Sequence, residues 1–380
     1  MSIWEQQSFF ARHDIIIIGA GLAGLWTALE LRQKYPSRSI LILEKGVIPT
    51  GASTRNAGFA CFGSPTELLH DRLLLGEEKM LEIAAMRYRG IQKIKALFSD
   101  NQIGYEDCGG YECLNKNLTD ISMLEDVLPT LNHLLKAITG LDETFTWQHN
   151  KLSDFGLSGF DTMIENPLEA SLHSGWLVQN LTRLVQEKRI DLLTGIDVKN
   201  WKRNNRAIII NAVHYTTGFH EQALAFESDQ LVLCTNAFTS QVAPELNIIP
   251  ARGQVIVTSP IEELKLKGTY HYDEGFYYFR NLGNRILLGG ARNKAIMEEA
   301  TTHLHETSVI QDELERFLQE HIAGEYHYTI DYRWSGIMGF TEDKQPLLKQ
   351  LDENIFALIA CNGMGVALTP VISEQLAAMV

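Results

Sequence analysis

Apolar and polar positions change period several times along the chain, and each change marks an element. Residues 13–18, HDIIII, set four isoleucines in a row just before Gly19, and residues 40–43, ILIL, form a second short unbroken apolar run. Runs this short without polar alternation read as strands covered on both faces. Between them Leu22, Leu25, Trp26 and Leu29 recur at helical spacing, and Pro36 stops the segment. A strand, a helix and a second strand in this order make a parallel βαβ unit.

The texture then becomes helical. Met80, Ile83, Arg87, Ile91, Ile94 and Phe98 predict a long helix over 76–98, and further helices are expected over 119–138 and 175–186. Strand-like segments follow at 191–201, 206–215 and 228–235. From about residue 250 the pattern predicts antiparallel strands at 253–259, 275–281 and 285–291, the last two joined as a hairpin through the turn LGN. An acidic amphipathic helix carries Ile310, Leu314, Phe317, Leu318 and His321 on one side, and the chain closes with a strand at 355–360, a glycine turn and a helix over 366–379. Strand, glycine turn and helix thus stand at both ends, with sheet-like and helical sequence between. This predicts a nucleotide-binding domain of discontinuous segments: residues 1–65, 165–240 and 336–380. A second, substrate-binding domain would comprise 66–164 and 241–335.

Composition narrows the function. The 380 residues suffice for two domains with a sizeable core. A net charge of −14, with no long basic run, argues against nucleic-acid binding, which needs Lys and Arg in excess. The five cysteines are scattered with no CxxC pair, so no metal cage is expected. The early Glu5 and the shortness of the apolar run Ile15–Ile18 predict a protein with no signal peptide and no membrane span, hence a cytoplasmic one.

The strongest motif is 19-GAGLAG-24, a G-x-G-x-x-G of Gly19, Gly21 and Gly24 with Leu22 and Ala23 inside it. It follows a strand and opens a helix. Glu44 ends the next strand about 20 residues on, the spacing of a Rossmann-type dinucleotide site. The glycines allow a tight turn and close approach to a pyrophosphate, and the helix N-terminus favours its charge. Glu44, with Lys45 beside it, would meet the ribose. The motif alone leaves FAD and NAD open. The next segment, 51-GASTRNAGF-59, favours FAD: small residues around one cation suit a wide tricyclic ring, for which a nicotinamide enzyme has no need.

These segments, with 334-WSGIMGFTEDKQPLL-348 and 361-CNGMGVALTP-370, resemble the D-amino-acid-oxidase-like superfamily of FAD-dependent oxidoreductases, which includes glycine, sarcosine and γ-glutamylputrescine oxidases. The resemblance implies a Rossmann-type FAD-binding domain plus an α+β substrate domain with an antiparallel sheet. It implies that Ala52, Ser53 and Arg55 lie by the pyrophosphate and ring, and that Asn56, Ala57, Gly58 and Phe59 run beneath the ring near N5. Val198 would hold the adenine through its backbone, and Thr235, Asn236 and Ala237 would border the cofactor. Gly363, Met364, Gly365 and Val366 would bring backbone and a helix N-terminus to the pyrimidine end.

The implied reaction is oxidation of a C–N bond in an amine or amino acid by hydride transfer to flavin N5, with oxygen or another acceptor taking the electrons. No acid–base residue stands out, because the flavin does the difficult chemistry. His303 and His305, two apart at a helix end, read as solvated. Phe59, Tyr277, Tyr278, Trp334 and Met338 are the candidate substrate walls. Three departures from the family bear on the substrate and acceptor. Met338 stands where an arginine would clamp a carboxylate, which disfavours a simple α-amino acid unless Arg252, Arg280 or Arg333 reaches in. Residues 333–340 hold no cysteine, so FAD is noncovalent. Leu287 stands where oxidases carry a lysine that promotes reaction with oxygen, which keeps a dehydrogenase open. An NAD-dependent dehydrogenase and a non-catalytic FAD-binding protein are the alternatives.

Overall fold

A computed structural model describes residues 1–205, 207–215 and 221–380. The chain divides into two compact units: one of 1–54, 175–251 and 337–380, the other of 55–174 and 252–336. The predicted division ended the first nucleotide-binding segment at residue 65. The contacts instead group 55–65 with the second unit.

The first unit is built on a twisted sheet whose parallel core runs Ile355–Ile359, Glu221–Leu233, His13–Ile18, Ile40–Glu44, Asp191–Thr194. Ile15, Ile16, Ile17, Leu41 and Ile42 are buried on both faces, as their unbroken apolar runs require. The helix Leu22–Lys34 spans the predicted residues and buries Leu25, Trp26 and Leu31. Each such large side chain contributes about 1.5–3 kcal/mol relative to exposure. The C-terminal helix Gly365–Met379 pairs with it, the Thr27 hydroxyl donating to Ser373 Oγ. The predicted strand 191–201 is two strands, Asp191–Thr194 and Asp197–Asn204, because Gly195 turns between them with φ 72°. The second is continued antiparallel by Ala207–Tyr215. Arg206, the first residue of the predicted segment 206–215, lies outside the described residues. The predicted strand 228–235 is the end of a longer one, Glu221–Leu233.

The second unit carries an eight-stranded sheet in the order Ile330–Phe340, Ile249–Thr258, Arg285–Gly290, Tyr277–Leu282, Thr269–Tyr272, Gly110–Leu114, Thr162–Asn166, Thr146–Trp147. The hairpin Tyr277–Leu282/Arg285–Gly290 closes through Gly283 and Asn284, as predicted. Alternation separates the two faces. Ile256, Tyr270, Tyr277, Phe279, Ile286 and Leu288 belong to one buried cluster with Leu314 and Phe317 of the helix Ser308–Phe317. Val255, Val257, Leu287 and Tyr278 point the other way and meet Ala57, Phe59 and Trp334. Helices Pro65–Leu75, Glu77–Leu97 and Ile121–Thr139 complete the unit. The segment 51–60, read as loop, contains a helical turn, Ala52–Arg55, and a two-residue strand, Phe59–Ala60. His303 and His305 precede the helix Ser308–Phe317 rather than lying on it, and the His305 ring stands 2.9 Å from an Arg252 nitrogen.

Candidate active site

In the first unit the predicted nucleotide residues gather at the carboxyl ends of the parallel strands, where open α/β sheets bind ligands. Gly19 has φ 103°, and a Cβ there would lie 2.6 Å from the Cys234 carbonyl oxygen. A Cβ on Gly24 would lie 1.9 Å from the Gly19 oxygen, so helix and strand touch through their backbones. Gly21 caps the helix Leu22–Lys34 without any side-chain bond, and the Leu22 N–H donates to Ser53 Oγ at 2.9 Å. Leu22, Ala23 and Gly24 form the first turn, whose N–H groups favour an anion.

Glu44 accepts from the Ala20 N–H at 2.8 Å and the Gly46 N–H at 2.9 Å. Burial pushes its carboxyl up, and these two N–H groups restrain the rise. Lys45 is engaged by Asp197, Nζ to Oδ1 3.3 Å, beside the buried Val198. Thr235 and Asn236 follow the strand Glu221–Leu233, with Asn236 at φ 46° and Ala237 buried.

The turn after Ile355–Ile359 is strained: Ala360, Asn362 and Gly363 have φ of 56°, 49° and 87°. Such conformations cluster at ligand sites because the surroundings must hold them. Asn362 is fixed by accepting from the Thr341 N–H at 3.0 Å. Met364 then caps the helix Gly365–Met379, again without a side-chain bond, and Val366 lies in its first turn. Met338 is half-buried, its sulfur 3.9 Å from where a Cβ of Gly363 would be. Two uncapped helix starts, a buried acid after the second strand and a backbone-lined turn fit an extended dinucleotide such as FAD.

In the second unit the segment 55–59 is pinned to its own sheet. Arg55 donates to the Ser335 carbonyl at 2.8 Å, and Trp334 Nε1 donates to the Arg55 carbonyl at 2.9 Å. Asn56 Oδ1 accepts from the Gly58 N–H at 2.9 Å and the Ser174 hydroxyl at 2.6 Å. Ala57 packs on Val255, Val257 and Leu287, and Phe59 stands edge-on to Tyr278 and His271. A Cβ on Gly289 would come 2.4 Å from the Tyr278 ring, so this ring lies flat across the neighbouring strand. Burial pushes the Tyr278 hydroxyl up to about 12, and it stays protonated. Tyr277 does not join this group. It sits on the opposite face, stacked on Phe317 at 4.4 Å with its hydroxyl on Glu313, because adjacent strand residues alternate.

The same face carries charges that sequence spacing does not reveal. Cys61, Glu169 and His271 are buried with one ligand-type atom each, all within 4.8 Å of one another. His271 Nε2 is 3.4 Å from Glu169 Oε2, and Glu169 also accepts from the Phe62 N–H. Burial opposes charge on His271, but the neighbouring Cys61 and Glu169 outweigh it and push its pKa well above the usual value. Burial raises the Cys61 thiol, which holds it toward its neutral, less nucleophilic form. Three ligand atoms are one fewer than a closed zinc site uses. Next to it, buried Glu112 accepts from Ser64 and Thr66, and burial raises its carboxyl. Cys61, Glu169 and His271 come from segments about a hundred or more positions apart, so no local pattern could have assembled them.

Of the arginines weighed as substrate clamps, Arg252 is taken by Glu299, with bonds of 2.7 and 2.8 Å, and both are 1% exposed. Arg333 is taken by Gln311 and Glu315. Arg280 is 5% exposed and donates only to the Gly58 carbonyl, at 3.2 Å.

No helix among the described residues is long and apolar enough to cross a membrane. The chain is 22% identical over 373 residues to the probable oxidoreductase OrdL of Haemophilus influenzae, covering 94% of this chain and 80% of that protein. Its fold is similar to that of L-proline dehydrogenase from P. horikoshii (TM-score 0.74, 16% identity, 97% and 93% of the two chains). It is likewise similar to glycine oxidase from Geobacillus kaustophilus (TM-score 0.69, 18% identity, 97% and 94%). The sequence matches the DAO family, FAD dependent oxidoreductase, over residues 14–379, and with the nucleotide-fitting turns described above the chain belongs to that family and depends on FAD.

Proposed function

We propose that the protein oxidises a C–N bond of an amine or amino acid by hydride transfer to noncovalently held FAD. The match to the FAD-dependent family over nearly the whole chain carries this reading. L-proline dehydrogenase, glycine oxidase and iminodiacetate oxidase, which share the fold, are named for amino-acid or amine substrates, and this supports it. When bound, FAD accepts the hydride; the protein's task is to bind, orient and exclude water.

The helix starts at Leu22 and Gly365 favour the cofactor's negative charge, and Glu44 offers its remaining lone pairs to the ribose. Ala52 and Ser53 with Arg55 are proposed cofactor contacts, as are Asn56–Phe59, Val198, Thr235–Ala237 and Gly363–Val366. Phe59, Trp334 and Tyr278 are the proposed apolar walls for substrate, a set that keeps water from the reacting carbon. Leu287 is 4% exposed among valines, so no cation stands at that position to promote reaction with oxygen, which favours another electron acceptor.

Anaerobic mixing of the purified, FAD-loaded protein with a panel of primary and secondary amines tests the reading. Bleaching of the bound flavin by at least one compound is expected, with slow recovery of colour on admitting air. A colourless protein that retains no added FAD, or bound flavin that no amine bleaches, overturns it.

A further inference from the structure

Three ligand-type side chains of the second unit are brought together by backbone pairing. The two-residue strand Phe59–Ala60 runs antiparallel to Ala170–Ser171, with Ala60 opposite Ala170. Cys61 follows on one strand and Glu169 precedes on the other, so the pairing sets them opposite each other. The Glu169 carbonyl accepts from the Gly109 N–H at 3.1 Å, and its side chain crosses Gly110, where a Cβ would lie 2.0 Å from Oε2. Gly110 pairs with Thr269 on the neighbouring strand, two residues before His271. The missing side chain at 110 is what lets the Glu169 carboxylate reach the His271 ring.

The group is buried, and its hydrogen bonding is incomplete. Cys61, Glu169 and His271 are 6%, 2% and 7% exposed. Glu169 uses Oε1 to accept from the Phe62 N–H at 3.3 Å, which leaves Oε2 for His271. His271 Nε2 lies 3.4 Å from that oxygen, yet it has no hydrogen-bond partner among the described residues. Buried polar atoms are nearly always partnered, so this nitrogen calls for an explanation. Its separation from Oε2 suits two ligands of one ion: a nitrogen and an oxygen each about 2.1 Å from zinc, at a tetrahedral angle, stand about 3.4 Å apart. The Cys61 sulfur lies within 4.8 Å of both other ligand atoms. Thiolate and imidazole select zinc and its neighbours over magnesium or calcium, which take oxygen ligands.

We propose that Cys61, Glu169 and His271 bind a divalent transition ion, zinc by preference, with the fourth position left to a water. The expectation of no metal cage rested on the lack of a CxxC pair, and this site uses one cysteine only. On binding, the thiol passes its proton to solvent and the ion takes the place of any proton on Nε2; only the chelated protein leaves His271 free to titrate. The Phe62 N–H is the outer partner that aims the carboxylate. The site needs no channel, because an ion held by three distant segments is taken up as they come together in folding. Its role is structural: it ties the segment that carries Phe59 to the sheet. The inference stands apart from the amine-oxidising reading and does not depend on it.

The test grows the full chain in zinc-supplemented medium, removes any affinity tag, washes the protein with a mild chelator and counts metal by mass spectrometry. About one zinc per chain is expected, as for a site whose binding energy is part of folding. Protein grown with cobalt instead, read against the zinc form, should show a sulfur-to-cobalt charge-transfer band and the long-wavelength bands of a four-coordinate ion, beyond the absorption of oxidised flavin. Cys61→Ser should abolish the charge-transfer band. Cys61→Ala and His271→Ala should each weaken zinc binding by about a hundredfold or more, past the ten- to hundredfold that outer partners are worth. Cys113→Ser, at a cysteine equally buried but outside the trio, should leave both metal content and band unchanged. Unaltered protein that carries no zinc, or shows no charge-transfer band with cobalt, overturns the proposal without any variant having to fold. Metal retained in full by Cys61→Ala and His271→Ala, or a band lost in Cys113→Ser and kept in Cys61→Ser, overturns it equally.

Discussion

One sheet in the second unit buries an arginine on each face, and the two are treated oppositely. Arg252 follows the alternation of Gln254 and Ile256 and is closed off by Glu299, with Gln254 and Thr307 also donating to that carboxylate. Arg280 lies among Leu287, Tyr278 and the segment over them, with one carbonyl for company. The first face is finished: rings of Tyr270, Tyr277, Phe279 and Phe317 meet at 4.4 to 6.2 Å, and Arg252 is met by Glu299. The second is left incomplete in hydrogen bonding at Arg280 Nε and is less fully covered, with Phe59, Tyr278 and Trp334 only partly buried. A face that serves only packing can satisfy itself; the other keeps a buried donor, Arg280 Nε, without a partner.

The sharpest break of this comparison is in stability. Arg252→Met leaves Glu299 buried without its partner and should cost about 3–5 kcal/mol. Arg280→Met removes a buried charge that has no counter-ion and should leave stability unchanged or raised. Urea unfolding followed by circular dichroism measures both, and equal losses would erase the distinction. Phe317→Ala, in the finished face, should also cost about 3–5 kcal/mol.

A smaller effect separates the faces by pH. The folded pKa of His271 is raised, so its contribution to stability is full below about 6.5, the unfolded value, and is lost as pH rises through the folded pKa. Glu299 is held below its usual value: burial raises it, but the bonds from Arg252 and Gln254 prevail, so its contribution is lost only as pH falls into the acid range. Urea midpoints between about pH 6 and 8, below the ordinary thiol pKa, should fall with rising pH in the unaltered protein. In His271→Gln the slope over that window should be shallower. The total change should be on the order of 1–3 kcal/mol, the range for hydrogen bonds to charged groups; parallel slopes would remove His271 from the account. The smallest effect is expected of Tyr278→Phe, under about 0.5 kcal/mol in stability, since no protein hydrogen bond is lost with its hydroxyl. A large loss there would mean that the second face, too, is built for packing.

The first unit was readable in the sequence because its signals are local. Four consecutive isoleucines, a helical stripe from Leu22 to Leu29 and a glycine turn fix strand, turn and helix within about 30 residues. The second unit was read only in part. The hairpin through Gly283 announced itself, but Thr269–Tyr272 pairs with Gly110–Leu114, and neither carries a clean alternation. Their partners lie more than 150 residues apart, and pairing of that kind leaves no periodic trace. The helix Pro65–Leu75 was missed although Ser64, Pro65 and Glu67 are ordinary start signals, because the small-residue loop before it hid where the loop ended. The same holds for the candidate site. The glycines and Glu44 stood out by spacing, whereas Arg280 was one of three arginines that only burial and pairing could separate. Tyr277 and Tyr278 were indistinguishable until the strand's phase was known.

The turn at 360–363 limits how this corner of the protein can drift. Three left-handed residues in four positions favour glycine and short polar side chains such as asparagine and disfavour β-branched ones, which would collide with their own backbone. The strand that precedes is wholly buried and the helix that follows buries ten of its residues, so the bend is clamped on both sides by core and has no slack to relax into another shape.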